Sequence, residues 1–133
     1  AKFGLPEVKV GIMPGAGGTQ RLVRAAGKYK ASRYLMTGDF MPASVASDIG
    51  IVSEVVPDAD VLAHALKVAS KIAAQAPLAV RALKEVVALG PDASLEIALV
   101  LERKAFQLLF TTEDRDEAIA AFLEKRKPAF KGR

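Results

Sequence analysis

Glu7 is the side chain most suited to chemistry near the start of this chain. It follows Pro6 and stands among Leu5, Val8, Val10 and Ile12. A carboxyl buried in such a setting has its neutral form favoured and can serve as an acid or a base. The same glutamate could also do no more than favour a helix N-terminus from its first turn. Eight residues on, Gly15, Gly17 and Gly18 make a glycine-rich turn that permits close backbone approach and positive φ. A helix expected from Thr19 would expose N–H groups there, able to hold an anion or a water. The turn matches neither the P-loop, which needs Gly-Lys-Ser/Thr, nor the dinucleotide fingerprint. Taken alone it also reads as an ordinary structural turn.

Other chemistries are excluded by composition. There is no cysteine, so a disulfide scaffold, a thiolate metal site and a cysteine nucleophile are ruled out. With one histidine, His64, set mid-helix among Ala63, Ala65 and Leu66, no metal site and no Ser-His-Asp triad is expected. The absence of cysteine fits a reducing cytosol. Nineteen basic residues face fifteen acidic ones, a net charge of +4. Much of that excess is terminal: Lys125, Arg126, Lys127, Lys131 and Arg133 face only Glu124. Such a cluster could meet phosphate on a small molecule or nucleic acid, or simply be a solvated helix end. With aromatics at 6% and no stacking motif beside the cluster, nucleic acid is not an expected partner.

These residues need elements to hold them. At 133 residues, 51% hydrophobic and 26% charged, the chain has a globular balance and no apolar run near the length of a membrane span. The pattern predicts an extended, loop-like entry over 1–18 that opens on the tail of a strand, Ala-Lys-Phe-Gly, and a helix from Thr19 stopped by Gly27. A helix over 30–36, a third from Pro42 to Gly50 and a strand over 51–56, rich in β-branched residues, follow. After Pro57 the chain reads as wholly helical. Asp58 is expected as an N-cap, and breaks fall at Pro77 and at Gly90-Pro91-Asp92. The apolar arc over 94–110 is wider than one face needs, so it should pack on two sides. Thr111 or Thr112 should cap a last helix with an acidic start and a basic end. The expectation is therefore a mainly α chain with a small β part. Residues 1–57 would hold the active-site segment, and 58–133 would form a helical oligomerisation domain.

The string FGLPEVKVGIMPGAGGTQRL, with LMTGDFMPASVASDIGIVSEVVP and the tail EDRDEAIAAFLEKRKPAFKGR, resembles the crotonase (enoyl-CoA hydratase/isomerase) family over essentially the whole chain. The resemblance implies a spiral of βα repeats that binds acyl-CoA thioesters, with C-terminal helices that build a trimer, often paired into a hexamer. On it, this chain is expected to be the C-terminal half: the end of the spiral core plus the helical trimerisation domain that caps the CoA. It also implies syn addition of water to an α,β-unsaturated thioester by two glutamates and two backbone N–H groups, with no cofactor besides the acyl-CoA substrate. Glu7 matches the second glutamate, the proton donor to the α-carbon. Gly15 matches a glycine whose N–H faces the catalytic water. Phe122 and Lys125 match positions that approach the CoA in the assembled enzyme, Lys125 through phosphate. For Phe122 core packing is the competing reading, and for Lys125 a favourable charge at a helix end.

Members of the family are about twice as long. The two oxyanion donors, the first glutamate and most of the CoA surface are expected in an absent N-terminal half, whose contact surface would be left open. Losing one oxyanion donor can cost roughly 10²–10³ in rate, so the chain alone is expected to be an inactive part of a cytoplasmic hydratase of fatty acid metabolism. An isomerase, another acyl-CoA lyase and a non-catalytic helical oligomerisation module remain as alternatives.

Overall fold

The computed structural model describes all 133 residues, Ala1–Arg133. The chain divides into two compact units, Ala1–Leu62 and Ala63–Arg133. It is mainly helical with one small sheet, as the residue pattern predicts. No helix is long and apolar enough to cross a membrane.

In the first unit, β1 (Lys2–Phe3) pairs antiparallel with β2 (Met41–Pro42), with Phe3 opposite Met41. Between them the chain makes a 3₁₀ turn, Pro6–Val10, and two helices, α1 (Gly18–Ala26) and α2 (Lys28–Thr37). Gly27 separates the helices at φ 78, and its N–H donates to the Val23 carbonyl. A short helix, α3 (Ala43–Asp48), follows β2. Tyr34, Met41 and Ala46 form the buried core, with Phe3, Leu22, Val45, Ile49, Ile51 and Val52 packed around it.

Two expectations fail in this unit. The entry opens on a strand, as expected, but its loop holds a 3₁₀ turn over Pro6–Val10, which the fixed φ of Pro6 starts. The strand expected over 51–56 is absent. Its first two N–H groups, of Ile51 and Val52, donate instead to the Ala46 carbonyl at 2.8 and 3.3 Å, wrapping the chain over the end of α3. The side chains of Ile51 and Val52 still reach the core. The β-branched run therefore reports burial correctly but not a ladder, which needs a second edge to pair with.

The second unit is built from α4 (Val61–Ala73), whose first two residues belong to the first unit, α5 (Pro77–Leu89), α6 (Leu95–Leu109) and α7 (Glu113–Leu123). Asp58 does not cap α4. It opens a 3₁₀ turn, Asp58–Asp60, behind Pro57. Ser94 caps α6 by accepting the Ile97 N–H at 3.4 Å, and Thr112 caps α7 by accepting that of Arg115 at 3.2 Å. α5 and α6 form a hairpin through the turn Gly90–Asp92. The outer faces of these helices are uncovered: Leu66 is 58% exposed, Leu83 64%, Leu95 73% and Leu108 71%. After α7 the chain doubles back. The Asp114 carboxylate accepts the N–H groups of Lys131 at 2.6 Å and Gly132 at 2.8 Å, and the Asp114 N–H donates to the Arg133 carbonyl.

Candidate active-site residues

Glu7 occupies the first turn of the 3₁₀ segment behind Pro6. Gly11 closes that turn in the left-handed region, at φ 78. The backbone carbonyl of Glu7 accepts the Ile12 N–H at 3.3 Å, which fixes the peptide that carries the side chain. The turn rests on the end of α2. A Cβ at Gly38 would come within 3.0–3.1 Å of the Lys9 and Val8 side chains. Within this support the side chain has an unusual property: Oε2 is buried and has no hydrogen-bond partner. Buried polar atoms are ordinarily paired, and leaving one unpaired costs about 1–3 kcal/mol. An orphaned carboxyl oxygen of this kind is suited to a partner the protein does not itself supply, a water or a ligand atom that exchanges a proton with it.

The three glycines of the turn separate in role. Gly17 has φ 83 and precedes α1. Gly18 sits under Leu5 and Pro14, and a Cβ there would lie 2.8 Å from Leu5 Cδ1. The conformational freedom and close approach expected of the turn thus belong to Gly17 and Gly18. Gly15 has neither feature: its φ is not positive, it is exposed, and a Cβ would meet nothing within 4 Å. Nothing within the chain requires a glycine at position 15, which leaves its backbone open to approach from outside. Arg21 steadies the turn by donating to the Ala16 carbonyl at 3.1 Å.

Phe122 and Lys125 lie together at the end of α7, in the second unit. Phe122 is 82% exposed, so it is not part of this chain's core. Lys125 is exposed and follows one residue after the helix cap, Glu124. The terminal basic cluster is not the unopposed patch its sequence suggests. Arg126 is held by Glu117, at 2.5 and 2.9 Å, and by Glu124 at 2.6 Å, while Arg133 pairs with Glu113 at 2.9 Å. Glu117 also accepts the Ala129 N–H at 2.7 Å. The hydrogen bond from Arg126, then that from Ala129, lowers the Glu117 carboxyl to about 2. The same carboxylates raise the Arg126 guanidinium above its ordinary range. A cavity of about 290 Å³ lies among Glu113, Asp114, Glu117, Arg126, Ala129 and Lys131. Sequence reading took the acidic residues of α7 as a helix-dipole feature. Asp116 pairs with the adjacent Arg115, but the partners of Glu113, Asp114 and Glu117 lie 9 to 20 positions away and carry no local signal. No group of three or more His, Cys, Asp or Glu side chains could hold a metal ion.

Comparison with known proteins gives this geometry its context. The chain is 50% identical over 133 residues to a 2,3-dehydroadipyl-CoA hydratase of Escherichia coli, covering 100% of this chain and 52% of that protein. It is 41% identical over 133 residues to an enoyl-CoA isomerase/hydratase of Mycosarcoma maydis, covering 100% of this chain and 48% of that protein. Among solved structures, an enoyl-CoA hydratase from Bacillus anthracis matches at a TM-score of 0.98 and 41% identity, over 100% of this chain and 52% of that one. The chain spans about half the length of the relatives it matches.

These matches correct one expectation, that the chain and its fold are specifically the C-terminal half of such an enzyme. The family profile runs over residues 1–133 without a break, and the coverage is a share of about half of each relative, so a C-terminal placement does not stand. The buried, unpartnered Glu7 carboxyl, the glycine turn behind it and a profile described as enoyl-CoA hydratase/isomerase coincide along one chain, which therefore belongs to the enoyl-CoA hydratase/isomerase family.

Proposed function

We propose that this chain contributes the proton-donating glutamate of an enoyl-CoA hydratase, which adds water syn across an α,β-unsaturated acyl-CoA thioester. The observation that carries the reading is the buried and unpartnered Oε2 of Glu7 in a chain of this family. As water attacks the β-carbon, negative charge develops toward the thioester oxygen, and Glu7 delivers a proton to the α-carbon. The open backbone at Gly15 faces the attacking water. Phe122 and Lys125 approach the CoA in the assembled enzyme, Lys125 through phosphate. No cofactor takes part, and the acyl-CoA is the substrate.

Hydration of this kind also needs a second glutamate and two oxyanion N–H donors. The chain spans about half the length of its relatives, and we place those groups in the other half of that length. The 133 residues alone are then inactive, and activity requires that complement. The uncovered faces of α4 to α7 support homo-oligomeric assembly, as a trimer or hexamer, and a surface that receives the complement. We assign the complete enzyme to the cytoplasm and to fatty acid metabolism.

Hydration in deuterated water tests the role of Glu7. The assembled wild-type enzyme should deliver deuterium stereospecifically to the α-carbon of the 3-hydroxyacyl product, and Glu7→Gln should lose that delivery. Stereospecific α-deuteration at the wild-type rate by Glu7→Gln would overturn the assignment. The isomerase reading is favoured by the name of the Mycosarcoma maydis relative. It predicts conversion of a 3-enoyl to a 2-enoyl thioester without net uptake of water.

A further inference from the structure

The end of α7 carries backbone strain at a charged residue. The Lys125 N–H donates to the Phe122 carbonyl at 3.3 Å and the Arg126 N–H to the Ala121 carbonyl at 3.0 Å. These are the two bonds of a Schellman ending, whose pivot residue is left-handed and is usually glycine. Here the pivot is Lys125, at φ 55, the only residue other than glycine with positive φ in the chain. A side chain in that region is disfavoured, and such residues persist where their surroundings over-determine them, often at ligand clamps. Glycine would complete the same ending with less strain, so a lysine here carries a backbone cost that the ending itself does not require.

What over-determines Lys125 is visible on both of its sides. Before it runs α7. After it, the Arg126 guanidinium is gripped by both oxygens of Glu117 and by Glu124, and the chain beyond is tied by Ala129 N–H to Glu117 and by Lys131 and Gly132 N–H to Asp114. Lys125 itself takes no part in these ion pairs and stays exposed, three residues from the exposed Phe122.

We propose that Glu117 and Arg126 are positioning residues that lock the backbone on the far side of Lys125, so that its ammonium is presented beside Phe122 to a phosphate of the bound acyl-CoA. The inference rests on the reading of Lys125 as a phosphate contact and adds how the chain keeps that contact in place. Lysine serves here as a point charge, and the rigidity it lacks comes from the neighbouring arginine's two-toothed grip on Glu117.

The test compares crotonyl-CoA with crotonyl-pantetheine, which lacks the nucleotide phosphates, as substrates of the assembled enzyme. Lys125→Gly should lower the CoA advantage in KM by about tenfold, the order expected for loss of one charge-assisted contact. It should not lower the melting temperature, since glycine suits the pivot. Glu117→Gln should lower the same advantage by roughly three- to tenfold, and Arg126→Lys, which keeps the charge but loses the fork, should do likewise. In a Lys125→Gly background, Glu117→Gln should have no further effect on the advantage.

An unchanged CoA advantage in Lys125→Gly would overturn the phosphate reading, and the inference with it. A loss in Lys125→Gly with none in Glu117→Gln or Arg126→Lys would overturn the positioning role alone. Equal loss toward both substrates in the Glu117 and Arg126 variants would show a structural contribution only, and would also overturn it.

Discussion

Replacing Asp114 with alanine should detach the C-terminal strap and cost the second unit about 2–4 kcal/mol. Asp114 is the one buried charged side chain, 2% exposed, and each of its oxygens accepts one backbone N–H, at 2.6 and 2.8 Å. Hydrogen bonds to a charged group contribute about 1.5–3 kcal/mol each. Two would sum to roughly 3–6 kcal/mol if the strap stayed in place with both donors unpaired. It need not stay: residues 129–133 lie at the surface, and once lifted their N–H groups return to water. The loss is therefore limited to what docks the strap and should fall below that sum, at about 2–4 kcal/mol. For a chain of this size each kcal/mol shifts the melting temperature by roughly 3–4 °C, so a fall of about 6–16 °C is expected. Thermal melts by circular dichroism give the total, and amide exchange at Lys131 and Gly132 gives the local event. Asp114→Asn should recover part of the loss, because one acceptor oxygen remains while the new amide donor faces an N–H. A loss under about 1 kcal/mol, or unchanged protection at Lys131 and Gly132, would refute this account of the strap.

Other outcomes follow from the same geometry. The Glu117 carboxyl is lowered to about 2 from 4.5, so its contribution is present above the unfolded value and is lost as pH falls from about 4.5 through about 2. Chemical shifts of Ala129 followed across that window should show release of the strap, and Glu117→Gln should abolish the transition. Gly15→Ala should leave stability unchanged or raise it by up to about 1 kcal/mol, since a Cβ meets nothing there, yet should slow hydration by the assembled enzyme. Gly18→Ala should destabilise by about 1 kcal/mol, because its Cβ would push the Leu5 side chain aside from 2.8 Å and lie 3.2 Å from the Pro14 ring, which cannot swing away; a denaturation midpoint for each variant checks the contrast. The 133-residue chain by itself should show no measurable hydration of crotonyl-CoA, and turnover by the purified chain would place all of the machinery within it.

Some of this architecture was readable from single residues and some was not. Gly27 and Thr112 mark helix ends by local chemistry, a flexible backbone and a side-chain acceptor, and the helices end and begin at them. Pro6-Glu7 in an apolar setting pointed to the carboxyl, but the orphaned Oε2 depends on packing that no spacing encodes. Ile51 and Val52 misled because β-branched residues signal burial as readily as pairing, and here a helix-end carbonyl took their N–H groups. The terminal basic run misled for a different reason. Two of its partners, Glu117 in the middle of α7 and Glu113 at its start, meet it only because the strap turns back. Gly15 stood out from its neighbours only once each glycine's surroundings were known.

The measurement that bears most directly on the central claim is the turnover of crotonyl-CoA by the assembled enzyme with Glu7→Gln, set beside the wild type under the same conditions. Glutamine keeps the size of the side chain and removes the transferable proton. If Glu7 is the donor, kcat falls by roughly 10²–10⁴ while KM changes little and the melting temperature is kept. A kcat within about threefold of wild type would contradict the claim, and the orphaned oxygen of Glu7 would then need another explanation.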